Sequence, residues 1–282
     1  MSIWYGFCEL LGIEILQWNF MKNAFLAVLL MAPLFGICST MVVTGRMSFF
    51  SDALGHSAFT GIAIGAICGI GDPTWVSVMF AVIFAVLFSI VRSRGNQTAD
   101  TVIGVFSSTA VALGIFVATL GGESFTKFNR YLIGDILSIT PTQIGLLLLT
   151  LLAVVIFWLF CSNKLTLASI HPQLASSRGI RTHLIQGLFT VLIAVVVTLS
   201  ISWVGLLIIN SLLVLPGAAA RNMAKNTRQY HVLSVLFALI ASLLGLIVSY
   251  YLGASAGAAI SLILAPIYVI SLMIRKAGNA NG

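Results

Sequence analysis

The sequence predicts an all-α, polytopic membrane protein: a bundle of about nine transmembrane helices, with the N-terminus outside and the C-terminus in the cytoplasm. Three observations lead there. Of 282 residues, 60% are hydrophobic and only 7% are charged, whereas soluble domains carry about a quarter charged residues. The apolar residues gather into runs close to the roughly 20 residues that a helix needs to cross hydrocarbon. These runs are apolar on every face and lack the alternation of a barrel strand, whose other face would line a polar lumen.

In chain order, residues 1–23 come first and differ from the rest. Trp4, Tyr5, Phe7, Leu10, Leu11, Ile15 and Trp18 alternate with Glu9, Glu14 and Asn19, the pattern of an amphipathic helix lying at the membrane interface. The first charges are acidic, unlike the basic start of a signal peptide, so the segment is expected in the mature chain. A membrane domain then fills 24–276, with runs at 24–44, 50–70, 73–91, 100–120, 141–161, 184–201, 203–221, 231–251 and 254–274. Residues 277–282 form a short tail. The runs 184–201 and 203–221 nearly touch, and merging them into one span would change the parity of the topology.

Basic residues orient the bundle. With the N-terminus outside and nine crossings, Arg46, Arg92, Arg94, Lys164, Arg178, Arg181, Arg221, Lys225, Arg228, Arg275 and Lys276 fall on the cytoplasmic side. Lys22, Lys127 and Arg130 fall outside. That excess inside is the expected bias of membrane topology. The net charge of +7 is thus a topological signal and gives no support to nucleic-acid binding. Cys8, Cys38, Cys68 and Cys161 form no C-x-x-C pair and are expected to pack as small hydrophobes.

The chemistry concentrates in the second run. Away from span ends, Asp52 and His56 are the only ionisable side chains in any of the nine runs. A charge in mid-membrane costs on the order of 3 kcal/mol even on lenient insertion scales, so such residues usually face a polar pathway or a partner. Their spacing of four places both on one helical face, one turn apart. One oxygen and one nitrogen donor suit a first-row divalent cation. Two other readings stay open: a pair that only neutralises itself, and a histidine hydrogen-bonded to a neighbouring helix. The same run carries Ala53, Ser57, Gly61, Gly65 and Gly69, a small residue at every fourth position. Such a stripe admits close helix packing on an adjacent face.

No phosphate-binding loop, H-E-x-x-H or G-x-S-x-G motif occurs, so the chain has no recognisable ATPase or hydrolase chemistry of its own. Two cytoplasmic loops are candidate partner surfaces, with contact to anionic lipid as the alternative. One spans 164–183 and is expected to form a short surface helix closed by Gly179, next to Arg178. The other follows Pro216 and Gly217 and carries Ala220, Arg221, Lys225 and Arg228. His171 and His183 are read as ordinary loop histidines.

The runs Arg46–Ala58, Thr98–Val105, Leu132–Leu137 and Val204–Leu207, with Leu215–Arg221, resemble the membrane subunits of ATP-binding-cassette importers for manganese, zinc and iron. The resemblance covers the chain from about residue 24, and the Asp-x-x-x-His run is its most specific part. It implies a permease domain of type II importer architecture that pairs with a second permease subunit, identical or paralogous. It also implies cytoplasmic ATP-binding subunits, an extracytoplasmic metal-binding protein, and residence in the cytoplasmic (inner) membrane of a prokaryote. Asp52 and His56 match residues associated with metal in the translocation path. The 216–228 segment matches the ATPase-docking region, with 169–180 as a second contact, although His171-Pro172 departs from an acidic residue common there. Asp100 and Asp135 match recurrent positions, but each stands at a span boundary, where capping a helix is the simpler explanation. The divalent metal ion is implied as substrate, with no permanently bound cofactor. A cobalamin or siderophore permease, a proton-coupled transporter using Asp52 and His56 as a relay, and an intramembrane metalloenzyme remain as alternatives.

Overall fold

Helix is the response of these runs to their solvent. In hydrocarbon an unpaired backbone group costs several kcal/mol, roughly, so each segment must satisfy its own N–H and C=O groups. The computed structural model describes residues 2–10, 14–94, 98–120, 134 and 136–280, and among them it contains no strand. Its helices are α1 Ser2–Leu10, α2 Asn19–Thr44, α3 Phe50–Ile67, α4 Thr74–Arg94, α5 Ala99–Leu120, α6 Pro141–Ile170, α7 Pro172–Ser177, α8 Thr182–Val204, α9 Leu206–Met223, α10 Thr227–Leu252 and α11 Ala256–Ala280. Short 3-10 turns occupy Glu14–Gln17 and Ile136–Ser138.

Each expected run coincides with one helix. Among the described residues, seven helices are long and apolar enough to cross a membrane: α2, α4, α5, α6, α8, α10 and α11. The 18-residue α3 and α9 fall outside that set. Large apolar side chains stand on the outside, with Leu159 and Phe160 about three-quarters exposed at 74% and 75%, as a lipid-facing surface requires. The close pair of runs is two helices, because Gly205 between them adopts φ 83° and breaks the hydrogen-bond ladder.

The chain divides into two compact units. The first comprises residues 1–40, 133–155 and 203–282. Here α2 and α10 meet where a Cβ on Gly36 would lie 2.7 Å from Val235 Cα, and the Ser234 hydroxyl donates to the Gly36 carbonyl at 2.7 Å. Gly245 faces Ile260 across α10 and α11, and Ser211 and Ser261 share a 2.7 Å hydrogen bond between α9 and α11.

The N-terminal segment differs from the single surface helix expected over 1–23. It breaks into α1, a 3-10 turn and the first turn of α2, and its polar groups bond to protein. The Trp4 indole N–H donates to the Lys22 carbonyl at 2.9 Å, and Tyr5 Oη donates to Asn23 Oδ1 at 2.7 Å. Lys22 is only 3% exposed, its Nζ 2.9 Å from Glu9 Oε1 and 5.4 Å from the Tyr5 ring centroid. A buried ammonium needs such partners, and meeting that need docks α1 on α2. Burial also pushes the Cys8 thiol up from its ordinary value, against the pull of Lys22. At the other terminus α11 continues to Ala280, taking in most of the expected 277–282 tail.

The second unit comprises residues 41–132 and 156–202. At its centre α3 packs between α4 and α5. Ser77 Oγ of α4 donates to the Ala58 carbonyl at 2.7 Å, and Thr60 Oγ1 donates to the Ala110 carbonyl of α5 at 2.7 Å. Phe50, Phe84, Phe88 and Phe106 stack and meet edge to face beside them.

Gly61→Val should destabilise the protein by about 1–3 kcal/mol through overpacking, because an added Cβ would overlap Ser77 Cα. Thermal unfolding in detergent checks this, with Gly104→Ala, inside a helix where a Cβ meets nothing within 4 Å, expected to raise the transition slightly and not lower it.

Candidate metal path on α3

The segment leading into α3 is a tight turn. After α2, Arg46 N donates to the Val43 carbonyl and Met47 N to the Val42 carbonyl, a Schellman-type stop with Arg46 at φ 53°. Phe50 N then donates to the Met47 carbonyl, and α3 begins. This places Asp52 in the first helical turn, the third residue of the expected run 50–70. The first turn is the less costly position, since the positive end of the helix dipole faces a carboxylate there.

Asp52 Oδ2 lies 3.4 Å from His56 Nε2, with side chains 47% and 31% exposed, respectively. The contact is longer than a charge-assisted hydrogen bond of about 2.7–2.9 Å. Ala53, Leu54, Gly55, Ser57 and Ala58 are all buried, while Asp52, His56 and Phe59 are not. Spaced i, i+4 and i+7, those three define the one stripe of this half of α3 that the bundle leaves partly uncovered. The donors therefore share a face, point one way and remain accessible. Among the described residues no group of three or more His, Cys, Asp or Glu comes together, so any ion held here completes its shell from elsewhere.

Four of the five small residues of the stripe lie inside the packed part of α3. Ala53, Ser57, Gly61 and Gly65 are buried; Gly61 faces Ser77 and Phe80, and Gly65 faces Pro73 and Val76. Gly69 packs against nothing within 4 Å. Its φ of 69° ends the helix, with Gly69 N donating to the Ala66 carbonyl and Ile70 N to the Gly65 carbonyl. Cys68 beside it is exposed, unlike the packed role expected of it, while Cys8 and Cys38 are buried.

The segment 216–228 is not a loop. Pro216 and Gly217 lie inside α9, which runs to Met223. Proline has no N–H and disturbs the ladder around it; here Gly217 N donates to Ser39 Oγ of α2 at 2.8 Å instead. Ala220 is buried and Arg221 is exposed. The chain turns at Ala224–Asn226, where the Asn226 side chain accepts from Gln229 N at 2.8 Å and Gln229 Oε1 accepts from Lys225 N at 2.9 Å. This reciprocal cap makes a rigid corner that exposes Lys225 and Arg228, and Asn222 binds Ser271 and Arg275 at its flank.

The 164–183 segment folds as expected into the short α7, with Pro172 at its start. Gly179 at φ 73° closes it and Arg178 is exposed. Asp100 does not cap α5: Thr98 Oγ1 accepts from Thr101 N, and Asp100 stands exposed in the first turn. Asp135, Lys127 and Arg130 lie outside the described residues. Gly134, at φ 65°, packs directly on the backbone of Val204 and Gly205, bringing together two of the segments that carry the family resemblance. Sequence reading missed the Asn226–Gln229 cap, although N-x-x-Q before an apolar run is its signature.

Residues 17–275 match the ABC 3 transport family. The chain belongs to that family. It is 29% identical over 252 residues to the high-affinity zinc uptake system membrane protein ZnuB of Haemophilus influenzae, covering 88% of this chain and 93% of that one. It is 28% identical over 262 residues to the manganese import system permease protein ScaB of Streptococcus gordonii, covering 92% of each. The solved structure of PsaBC from Streptococcus pneumoniae in complex with Fab matches with a TM-score of 0.78 at 26% identity, over 90% of this chain and 91% of that one. Relatives of one family are thus named for different metals, zinc and manganese.

Asn226→Ala should weaken the α9–α10 corner by about 1 kcal/mol, the usual value of an N-cap. Limited trypsin digestion of the purified protein should then cleave faster after Lys225 and Arg228, with cleavage elsewhere unchanged.

Proposed function

We propose that the chain is the permease subunit of an ATP-driven importer that moves a divalent transition-metal ion, manganese, zinc or iron, across the cytoplasmic membrane of a prokaryote. The observation that carries this reading is the Asp52–His56 pair, 3.4 Å apart on the partly uncovered face of α3, in a chain of the ABC 3 transport family. The chain is a transport subunit and not itself an enzyme, so ATP hydrolysis belongs to partner subunits docked at the α9–α10 corner, with α7 as a second contact. The exposed basic residues Arg221, Lys225 and Arg228 suit an acidic protein surface. An extracytoplasmic binding protein delivers the ion, and a second permease subunit completes the path.

In the proposed cycle Asp52 and His56 replace part of the ion's water shell as it passes. The carboxylate supplies charge and the imidazole a nitrogen of intermediate softness, a pairing that suits Mn²⁺, Fe²⁺ and Zn²⁺. Two side chains cannot fill a shell of four to six, so water, backbone carbonyls or the second subunit supply the rest. Incomplete coordination has a use, because a path must bind weakly enough to release.

Asp52→Ala and His56→Ala should each reduce initial metal uptake at least about tenfold at low metal concentration, the scale expected for losing one of two protein ligands. The measurement is uptake of Mn²⁺, Zn²⁺ and Fe²⁺, supplied separately, by cells with a normally assembled complex; uptake intact in both variants removes the site assignment. Orientation is tested through Cys68, exposed at the C-terminal end of α3. A membrane-impermeant maleimide should label it in intact cells, and labelling only after permeabilisation would invert the proposed topology.

A further inference from the structure

Arg92 stands in the last turn of α4 and inside a segment apolar enough to span the membrane. It is half-buried, and among the described residues no carboxylate lies within ion-pair distance of it. Retaining a charge in such a place without a counter-charge is costly, and packing alone would be served by leucine. Arg92 Nη2 donates to the Gly45 carbonyl at 3.2 Å, at the end of α2, where carbonyls lack intrahelical donors. A small void of about 10 Å³ adjoins the contact, lined by Met41, Met47, Ser169 and Gln186 among others.

One helical turn before Arg92, Phe88 is fully buried and stacks on Phe50 with ring centroids 4.5 Å apart. Spaced i and i+4, Phe88 and Arg92 lie on the same face of α4. They hold the α2–α3 turn at both ends, Arg92 at its first residue and Phe88 at the first residue of α3. Between them sits Arg46 with its left-handed backbone, a conformation that an L side chain adopts at a cost and that surrounding contacts must maintain. Asp52 is two residues beyond Phe50. Asp52 stands in the first turn of α3, nearest the α2–α3 turn, and His56 one turn further on, next to the bonds that Ala58 and Thr60 make to α4 and α5.

We infer that Arg92 is a positioning residue for the metal path: its hydrogen bond to Gly45 O fixes the turn that sets Asp52 against His56. This rests on the reading of Asp52 and His56 as ion ligands. The test is initial uptake against metal concentration in cells whose membranes contain equal amounts of assembled complex, for Arg92→Met, Arg92→Gln, Arg92→Lys and Asp52→Ala. Arg92→Met should raise the concentration for half-maximal uptake by about tenfold, the scale of one hydrogen bond to a charged group, with a smaller effect on the maximal rate. Arg92→Lys, which can still donate to Gly45 O, should recover much of the wild-type value. Should Arg92→Met fail to assemble, Arg92→Gln and Arg92→Lys carry the same comparison. An unchanged half-maximal concentration in the assembled Arg92 variants, with only the maximal rate or the amount of complex falling, overturns the inference while Asp52→Ala remains inactive. Normal uptake by Asp52→Ala overturns the site reading itself and the inference with it.

Discussion

Close approach of α3 to α4 is the contact on which the candidate site depends. In lipid there is no hydrophobic force to drive one helix against another, and association relies on van der Waals fit and interhelical hydrogen bonds. At Gly61 there is no space for a Cβ beside Ser77, and the Ser77 hydroxyl donates to the Ala58 carbonyl one turn before it. On the opposite flank Thr60 bonds across to Ala110 while a Cβ on Gly114 would lie 2.7 Å from Phe59 and Thr60. Held from both sides, α3 has little freedom to rotate. The same contacts fix the orientation of the face that carries Asp52 and His56, which stays partly uncovered.

Polar groups in this protein divide into two kinds by what they bond. Many hydroxyls turn back on their own helix: Ser57 donates to the Leu54 carbonyl, Thr109 to Val105, Thr150 to Leu146 and Thr166 to Ser162. That local bond hides the hydroxyl from hydrocarbon and makes no tertiary statement. A smaller set crosses between helices: Ser77 to Ala58, Thr60 to Ala110, Ser234 to Gly36, and Gly217 N to Ser39. Each of these sits beside a glycine or an alanine, where the backbones come near enough for a short side chain to span the gap. Asp52 and His56 lie 3.4 Å apart along one partly uncovered face of α3.

The helix ends show the same economy of means. Gly69, Gly179 and Gly253 end their helices in the left-handed conformation, and Asn226 with Gln229 starts α10 by a reciprocal cap. At the α9–α10 corner this leaves only a three-residue connection between two long helices, so basic side chains are presented from a stiff support.

Much of this was legible in the sequence because it follows from one-dimensional properties. Hydrocarbon length and backbone satisfaction set the apolar runs, so each run became a helix, the largest difference being the helix Pro141–Ile170, which continues past the expected end at 161. The spacing of four set Asp52 and His56 on one face, and the glycine after 170–178 closed α7. What the sequence did not determine depends on three-dimensional neighbours. The turn before α3 is closed by Arg46 in a left-handed conformation where a glycine would be expected, and Arg92 from α4 bonds the adjoining carbonyl. Pro216 lies within a helix because Ser39 of α2 offers Gly217 a replacement acceptor. Lys22 is buried because Glu9 and Tyr5 of α1 fold over it. Sequence alone determined that this chain is a membrane bundle with one carboxylate and one imidazole a turn apart on one helix face. The tertiary structure decided which residues hold that pair in place, because a hydrogen bond between helices depends on distances that no local pattern encodes.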